Sequence, residues 1–407
     1  MTSRERVRAA WEGRVADHVP LTTWCFGFRA PRELQWKRNG RPVTYWYSLR
    51  MEHLHTVPEG WTLEDDFARV RAWKAWGVDD ILDVSVPWSV GANVRLADAT
   101  GPGGAEGGVM TRTYRTPAGA LEHAVRRTTE HVPDGWVVQP DHVPLFEDFN
   151  IPRAVRHAVS SPGHVAVIPH IYAAPDETAR AWFRGRMDRV ATFAHAEGVA
   201  VQAWSAFGMD AVVWLAGTEG SVLLAMDEPE AFGRLLEHVT ETDVARTELA
   251  AAHPAVDLIV ERGWYSSTDF WSPELFDRFL LPCIRRVAAV AHRHGKRFAY
   301  VMTTGVERMA RRLAEAGVDV LYFADPVQDR VDLPSLARDV GGSMCIVGGT
   351  NALSLAPENQ GRLAGEVARA LDALGSSNRL ILHPVDALFP DTPEEGMRRL
   401  IDAWRMR

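Results

Sequence analysis

The sequence has only three cysteines, Cys25, Cys283 and Cys345, widely separated and odd in number. None belongs to a Cys-x-x-Cys pair, which argues against both a disulfide framework and a zinc ribbon. It also lacks an excess of positive charge. Lys and Arg number 45 against 53 Asp and Glu, giving a net charge of −8 and a sequence pI near 6.0. Nucleic acid and anionic membranes therefore have no electrostatic support as partners. No window approaches the roughly 18 apolar residues of a membrane span. The opening "MTSRERVRAAWEG" lacks the apolar run of a signal peptide and reads instead as an amphipathic helix begun by Thr2 or Ser3. The expected location is the cytoplasm. Two nucleotide signatures are missing too: no Gly-x-Gly-x-x-Gly follows a first strand, and there is no Walker lysine loop.

What is present is the composition of an ordinary globular protein, with 46% hydrophobic and 24% charged residues in 407. Tryptophan stands out at fifteen residues. The plain reading is large core filler. The functional reading is an aromatic-walled cavity for an organic ligand, with Trp24, Trp88, Trp204 and Trp264 as candidates near strand ends.

From residue 199 the pattern repeats: a short apolar strand, a break, then an amphipathic helix. Strands are expected at 199–207, 256–263, 298–302, 318–326, 344–350 and 380–386. Ser272 and Pro273 open the helix that closes at Gly295. Two more strands fit upstream, at 19–26 and 78–84. Single helices between strands imply parallel pairing with right-handed crossovers. Eight such units predict a (β/α)8 TIM barrel, favoured over a doubly wound open sheet. Such a barrel needs about 250 residues. The surplus lies mainly at 85–198, read as a large insertion after strand 2 within a single domain spanning 1–407. It holds the turn "GPGGAEGG", a β-rich "VMTRTYRTPAGAL", a strand-like "VAVIPHIYA" and a helix around "TARAWFRGRMDRVATFAHAEG". A second, smaller excursion is expected at 30–62.

Reacting groups of such a barrel gather where the strands end. Those positions offer Cys25 and Arg29; Asp79, Asp80 and Asp83; Trp204 and Ser205; Glu261, Trp264 and Tyr265; Tyr300, Met302 and Thr304; Tyr322 and Asp325; Thr350 and Asn351; His383 and Asp386. Several carboxylates facing one cup beside a histidine and an arginine could do acid–base work or bind a cation. Asp325, next to a proline, reads as a turn cap.

The segments "SRERVRAAWEGRVADHVPL", "DDIL", "MDEPEAFGRLLEHV", "SPELFDRFLLPCIRRV", "VGGTNA" and "LFPDTPEEGMRRLIDA", in this order, resemble the uroporphyrinogen decarboxylase superfamily of porphyrinogen decarboxylases and zinc-dependent, corrinoid-linked methyltransferases. The resemblance implies a (β/α)8 barrel. In the methyltransferase branch a His-x-Cys pair and a later Cys hold zinc, which makes a substrate thiol into a thiolate. Those positions here are Met302, Thr304 and Asp386, so the usual zinc ligands are absent. In the decarboxylase branch, Asp80 matches the acid that contacts the pyrroles and Arg29 one of the arginines. An arginine position falls on Cys25 and a histidine position on Asp386, which argues against a polycarboxylate substrate.

The resemblance therefore implies an enzyme acting on a small organic substrate, by methyl transfer or demethylation, with or without a corrinoid partner protein. Metal-free decarboxylation or lyase chemistry and a catalytically silent binding protein are the alternatives. Asp80, Glu261, His383 and Asp386 are the expected catalytic groups. Arg29, Trp204, Trp264, Tyr265, Tyr300, Met302 and Thr304 are the expected substrate contacts. No cofactor is specified by these residues, and no oligomeric state is signalled.

Overall fold

The computed structural model describes residues 1–24, 36–38, 41–43, 63–101, 108–126, 143, 145–146, 153–388 and 392–407. The strands are β1 (Trp36–Arg38), β2 (Arg41–Val43), β3 (Ile81–Ser85), β4 (Arg95–Thr100), β5 (Val109–Thr116), β6 (Gly119–Arg126), β7 (Ala154–Arg156), β8 (Ala200–Ala206), β9 (Leu258–Glu261), β10 (Arg297–Val301), β11 (Val320–Ala324), β12 (Cys345–Asn351) and β13 (Leu380–Val385). Helices α1 to α13 span Ser3–Glu12, Leu63–Ala75, Ile168–Ile171, Glu177–Glu197, Gly208–Ala216, Thr218–Asp227, Pro229–Ala251, Pro273–Leu275, Leu281–Arg293, Val306–Glu315, Leu333–Val340, Gln360–Leu374 and Glu394–Arg405.

Seven strands form one curled parallel sheet in the order β13-β12-β11-β10-β9-β8-β3. The six strands expected after residue 199 and the one at 78–84 are all there. Of the strand expected at 19–26, the described residues 19–24 show a parallel bridge between Leu21 and Leu382. Around it the Leu382 amide donates to Pro20 (2.8 Å), Thr22 donates to Leu382 (3.0 Å), and Asp79 donates to Leu21 (2.9 Å). The segment Pro20–Thr22 thus hydrogen-bonds β13 and the approach to β3, the two edges of the sheet. No single helix among the described residues is long and apolar enough to cross a membrane.

Neighbours β3 and β8 pair directly, yet residues 86–199 lie between them. That stretch builds a second, antiparallel sheet in the order β4-β5-β6-β7. The β-rich piece becomes the β5–β6 hairpin. The strand-like 165–173 does not extend: it is a 3-10 turn (Pro162–Val167) running into α3. Its buried residues Val165, Ile168, Ile171 and Tyr172 recur at helical spacing, and Pro169 suits a first helical turn. In the excursion expected at 30–62, β1 and β2 pair antiparallel.

Local chemistry sets the helix ends. Thr2 accepts from the Glu5 amide while Glu5 reaches back to the Thr2 amide, and Gly13 closes α1 with φ +68. Ser272 caps α8 through the Leu275 amide (3.3 Å). The expected long helix then widens into a π turn at Phe276–Leu280 before α9. Pro282, just inside α9, lacks an amide proton and crowds the preceding carbonyl turn, which accounts for the widening.

Candidate functional site

Because side chains alternate along a strand, the register decides which residues face the concave side. Asp83 pairs with Gln202, Ser85 with Trp204, Trp204 with Val260, Val301 with Tyr322, and Gly349 with His383. Asp83, Gln202, Trp204, Tyr322 and His383 therefore point inward together. Trp24, from the segment joining the two sheet edges, lies among them. Its ring centroid is 5.0 Å from Trp204, 5.6 Å from Trp264, 5.1 Å from Tyr322, 4.7 Å from Phe323 and 5.9 Å from His383. These contacts gather aromatic groups from β8, the turn after β9, β11 and β13 at the strands' C-terminal end. Trp88 belongs elsewhere, against Phe146, Tyr172 and Phe207 with Arg246 over the Phe207 ring.

A polar floor lies beneath the rings. Asp83 Oδ1 accepts from Gln202 Nε2 (2.5 Å) and Trp204 Nε1 (2.8 Å), and Tyr322 Oη donates to Gln202 Oε1 (3.1 Å). Arg69 of α2 lies 3.7 Å from Asp83 and also meets Asp80 (2.5 Å) and Asp66 (3.7 Å). Burial pushes the Asp83 carboxyl up to about 6, opposed by Arg69 and its two hydrogen bonds. The side chain is still 11% exposed. His383 is fully buried, and that burial holds its imidazole down to about 3. Its Nδ1 faces Thr22 Oγ1 (3.1 Å) and its Nε2 the Asp386 carbonyl (3.4 Å). This pattern assigns a neutral ring with the proton on Nε2.

The expected carboxylates do not converge. Asp80 precedes β3, at the opposite end of the sheet from the rings. Ser3 Oγ lies 3.2 Å from both its backbone nitrogen and its carbonyl oxygen. Burial raises its carboxyl to about 7, with Arg69 opposing and Asp83 adding. Glu261 pairs in register with Tyr300, and both face outward, into the helix layer. Glu261 lies beside Gly208, whose φ of +51 suits glycine and whose added Cβ would stand 2.7 Å from Glu261 Oε1. Burial raises the Glu261 carboxyl well above its usual range, and Asp243 and Asp210 raise it further. Asp243 is held by Arg246 (3.1 Å) and Asp210 by Arg262 (2.9 Å). Glu261 Oε2, by contrast, is buried with no hydrogen-bond partner among the described residues. Tyr300 donates to Ser266 Oγ (2.6 Å). Asp386 is half-buried just beyond β13.

Tyr265 is partly buried and gives its amide to Asp210 (3.0 Å). Trp264 stacks under Arg262, 4.3 Å from its ring. Met302 is wholly buried, and its backbone bonds Tyr322 and Phe323. Thr304 Oγ1 donates to Asp269 (2.8 Å). The glycine ending this turn has a structural cause: Gly305 has φ +77, and a Cβ there would collide with Thr268. Asp329 accepts from the Gly305 (2.8 Å) and Val306 (3.0 Å) amides at the start of α10. Asp325 caps a turn through the Val327 and Gln328 amides. Arg29 and Cys25 lie outside the described residues.

A thioether, a hydroxyl bound to Asp269 and one carboxylate do not fit a structural or catalytic zinc ion of the His/Cys kind. Among the described residues no three His, Cys, Asp or Glu side chains group as metal ligands. Asp83 and Tyr322 stood among the strand-end residues, but nothing in the sequence set them above their neighbours. Gln202, mid-strand, carried no signal.

Comparisons with known proteins agree with the sequence motifs. Residues 213–406 match the family model described as Uroporphyrinogen decarboxylase (URO-D). A methyltransferase from Methanosarcina mazei has a similar fold, at 14% identity and a TM-score of 0.58, with 100% of this chain and 99% of that one covered. D-psicose 3-epimerase from Clostridium cellulolyticum H10 is more distant, at 13% identity and a TM-score of 0.34 over 54% of this chain and 81% of that one. No curated protein matches the chain. Residues 213–406 are thus similar to the uroporphyrinogen decarboxylase family, and the whole chain shares its fold with the Methanosarcina protein.

Proposed function

We propose that the chain is an enzyme that transfers or removes a methyl group on a small organic substrate held in the aromatic cup. The observation carrying this reading is the meeting of Trp24, Trp204, Trp264, Tyr322 and His383 over the Asp83 floor. The fold shared with the Methanosarcina methyltransferase supports it. The scaffold in this reading is a single (β/α)8 barrel domain, with Pro20–Thr22 as its eighth stave and 85–198 as an insertion. The two-sided hydrogen bonding of Pro20–Thr22 favours that closure. A corrinoid protein would be a partner of the same reaction, docking at the strands' C-terminal end.

The rings would stack on the substrate and exclude water, which strengthens every charge–dipole interaction inside. Asp83 is the group we assign to proton transfer. A carboxyl near 6 is poised close to neutral pH, where acid–base catalysis is most effective. Its Oδ1 is fixed by Gln202 and Trp204, and Oδ2, 3.7 Å from Arg69, would be the working oxygen. As a base it would take a proton from the nucleophile that accepts the methyl group. His383, neutral throughout the working range, would offer only hydrogen bonds. Asp386 borders the same cup, whereas Asp80 and Glu261 would act through structure and not by touching substrate.

The test is a pH profile of methyl transfer. Activity should fall on the acid side with an apparent pKa near 6, and Asp83→Asn should lose about 100-fold or more in rate. A profile that instead falls on the alkaline side near 6 would favour a second reading, metal-free decarboxylation with protonated Asp83 as the donor. Full activity in Asp83→Asn would sink both.

A further inference from the structure

We propose that Arg69 is a positioning residue that ties Asp83 in the cup to the buried Asp80, so that the two carboxyls share one proton near neutral pH. The proposal rests on Asp83 as the proton-transfer group and deepens that reading by naming what sets its ionisation.

Arg69 reaches from α2 to the start of β3 and is 2% exposed. Its Nη1 donates to Asp80 Oδ1 (2.5 Å) and its Nη2 to the Ile81 carbonyl (3.3 Å). The backbone anchor fixes the plane of a rigid, permanently charged fork. From there Nη2 lies 3.7 Å from Asp83 Oδ2 and 3.7 Å from Asp66 Oδ1. The Asp83 oxygen it faces is not the one that Gln202 and Trp204 hold.

One cation thus serves three acids. If all three were ionised, negative charge would be left uncompensated where little water reaches. Such a cluster keeps protons, and acids that repel one another release them in turn, as a unit. Asp80 is the better holder. Its Oδ1 accepts from Arg69 and from the Ile81 amide (2.9 Å), but its Oδ2 is buried with no hydrogen-bond partner among the described residues. An oxygen that receives no donor carries a proton with the least penalty. Asp83 has donors in Gln202 and Trp204 and a side chain 11% exposed, so it ionises more readily. The directions agree. Burial raises Asp80 to about 7, with Asp83 adding, and Asp83 to about 6, with Asp66 adding, while Arg69 opposes both. Tyr322 of β11 also interacts with Asp83, and burial keeps its phenol neutral.

The test reads Asp83 directly and needs no substrate. Trp204 Nε1 donates to Asp83 Oδ1 (2.8 Å), so its indole N–H resonance follows the charge on that carboxyl. Full-length protein carrying isotope-labelled tryptophan is titrated from about pH 4.5 to 8.5, with Trp204→Phe to assign the signal. The natural chain should titrate in two overlapping steps. Asp80→Asn, close in shape and uncharged, should leave one step, lower by about 0.5 unit or more. Arg69→Gln should raise the midpoint by about 1 unit or more, and Arg69→Lys by less. Opposite displacements at unchanged far-ultraviolet circular dichroism mark coupling, which a contact that only supports the fold does not produce. Should Arg69→Gln fail to fold, Asp80→Asn decides by itself. A midpoint that stays or rises in Asp80→Asn, or that stays or falls in a folded Arg69→Gln, would overturn the proposal. The acid limb of methyl transfer should move with the indole signal. Displaced titrations in a chain without methyl transfer would end the reaction reading and leave the Arg69 link standing.

Discussion

Glu261 shows how far a single carboxyl can be from the role its position suggests. Among the described residues no cation pairs with it, while Asp210 and Asp243 beside it are each held by an arginine. Its raised pKa gives a signed expectation. The neutral acid is fully tolerated below its unfolded value near 4.5, and stability falls as pH rises towards the higher folded value. Glu261→Gln, which cannot ionise, should therefore gain in melting temperature over the natural chain as pH rises from about 5 to 9. A difference that stays flat with pH would disprove the burial argument. His383 runs the other way: held down to about 3, it takes up no proton on acidification while the unfolded chain does. It should cost stability as pH falls below about 6.5. The direction of these side chains could not be read from the sequence. In a parallel sheet covered on both faces, both sets of alternate residues are apolar. "LIVE" does not say whether its glutamate faces the cup or the helices. Asp80 and Asp83 both meet the Arg69 guanidinium, and what separates them is where β3 starts: Asp80 precedes the strand, whereas Asp83 lies within it and reaches Gln202.

Elements were easier to read than directions wherever strand and helix alternate with clean breaks, as they do from β10 to α13. The turn after β10 is an example whose ending now has a cause. Asp329 comes from a loop 24 residues away, bonds two amides at the start of α10, and fixes how β10 hands over to that helix. Asp329→Ala should cost about 1–2 kcal/mol, measured by denaturant unfolding. Gly305→Ala should cost at least as much, because it combines a left-handed backbone with contact against Thr268. Loss of less than about 0.5 kcal/mol in both would show that the turn is held by other means. Helices α5 and α6 went unforeseen. α5 is buried along its whole length, so it has no polar stripe to mark its period. The segment 165–173 misled for a related reason, since short apolar runs fit either period until proline placement is weighed.

At the scale of the whole molecule, the described residues show seven of the eight expected strands and one short segment that hydrogen-bonds both sheet edges. If Pro20–Thr22 serves as the eighth stave, the Leu382 and Asp79 amides should exchange hydrogen as slowly as amides inside β10 and β11. Exchange faster by several orders of magnitude would mean an open sheet with two frayed edges. The parallel sheet was legible because it rests on counting units. The cup's membership was not, because it draws on the first segment, the middle and the last strand at once.

That arrangement bears on how the protein comes into being. Leu21 bridges Leu382, and Trp24 meets His383 one residue further on. A growing chain can therefore complete the contacts of Leu21 and Trp24 with β13 only after nearly all the rest has been made. Binding competence should appear abruptly at the end of synthesis, and a chain cut short before its final strand should have no cup.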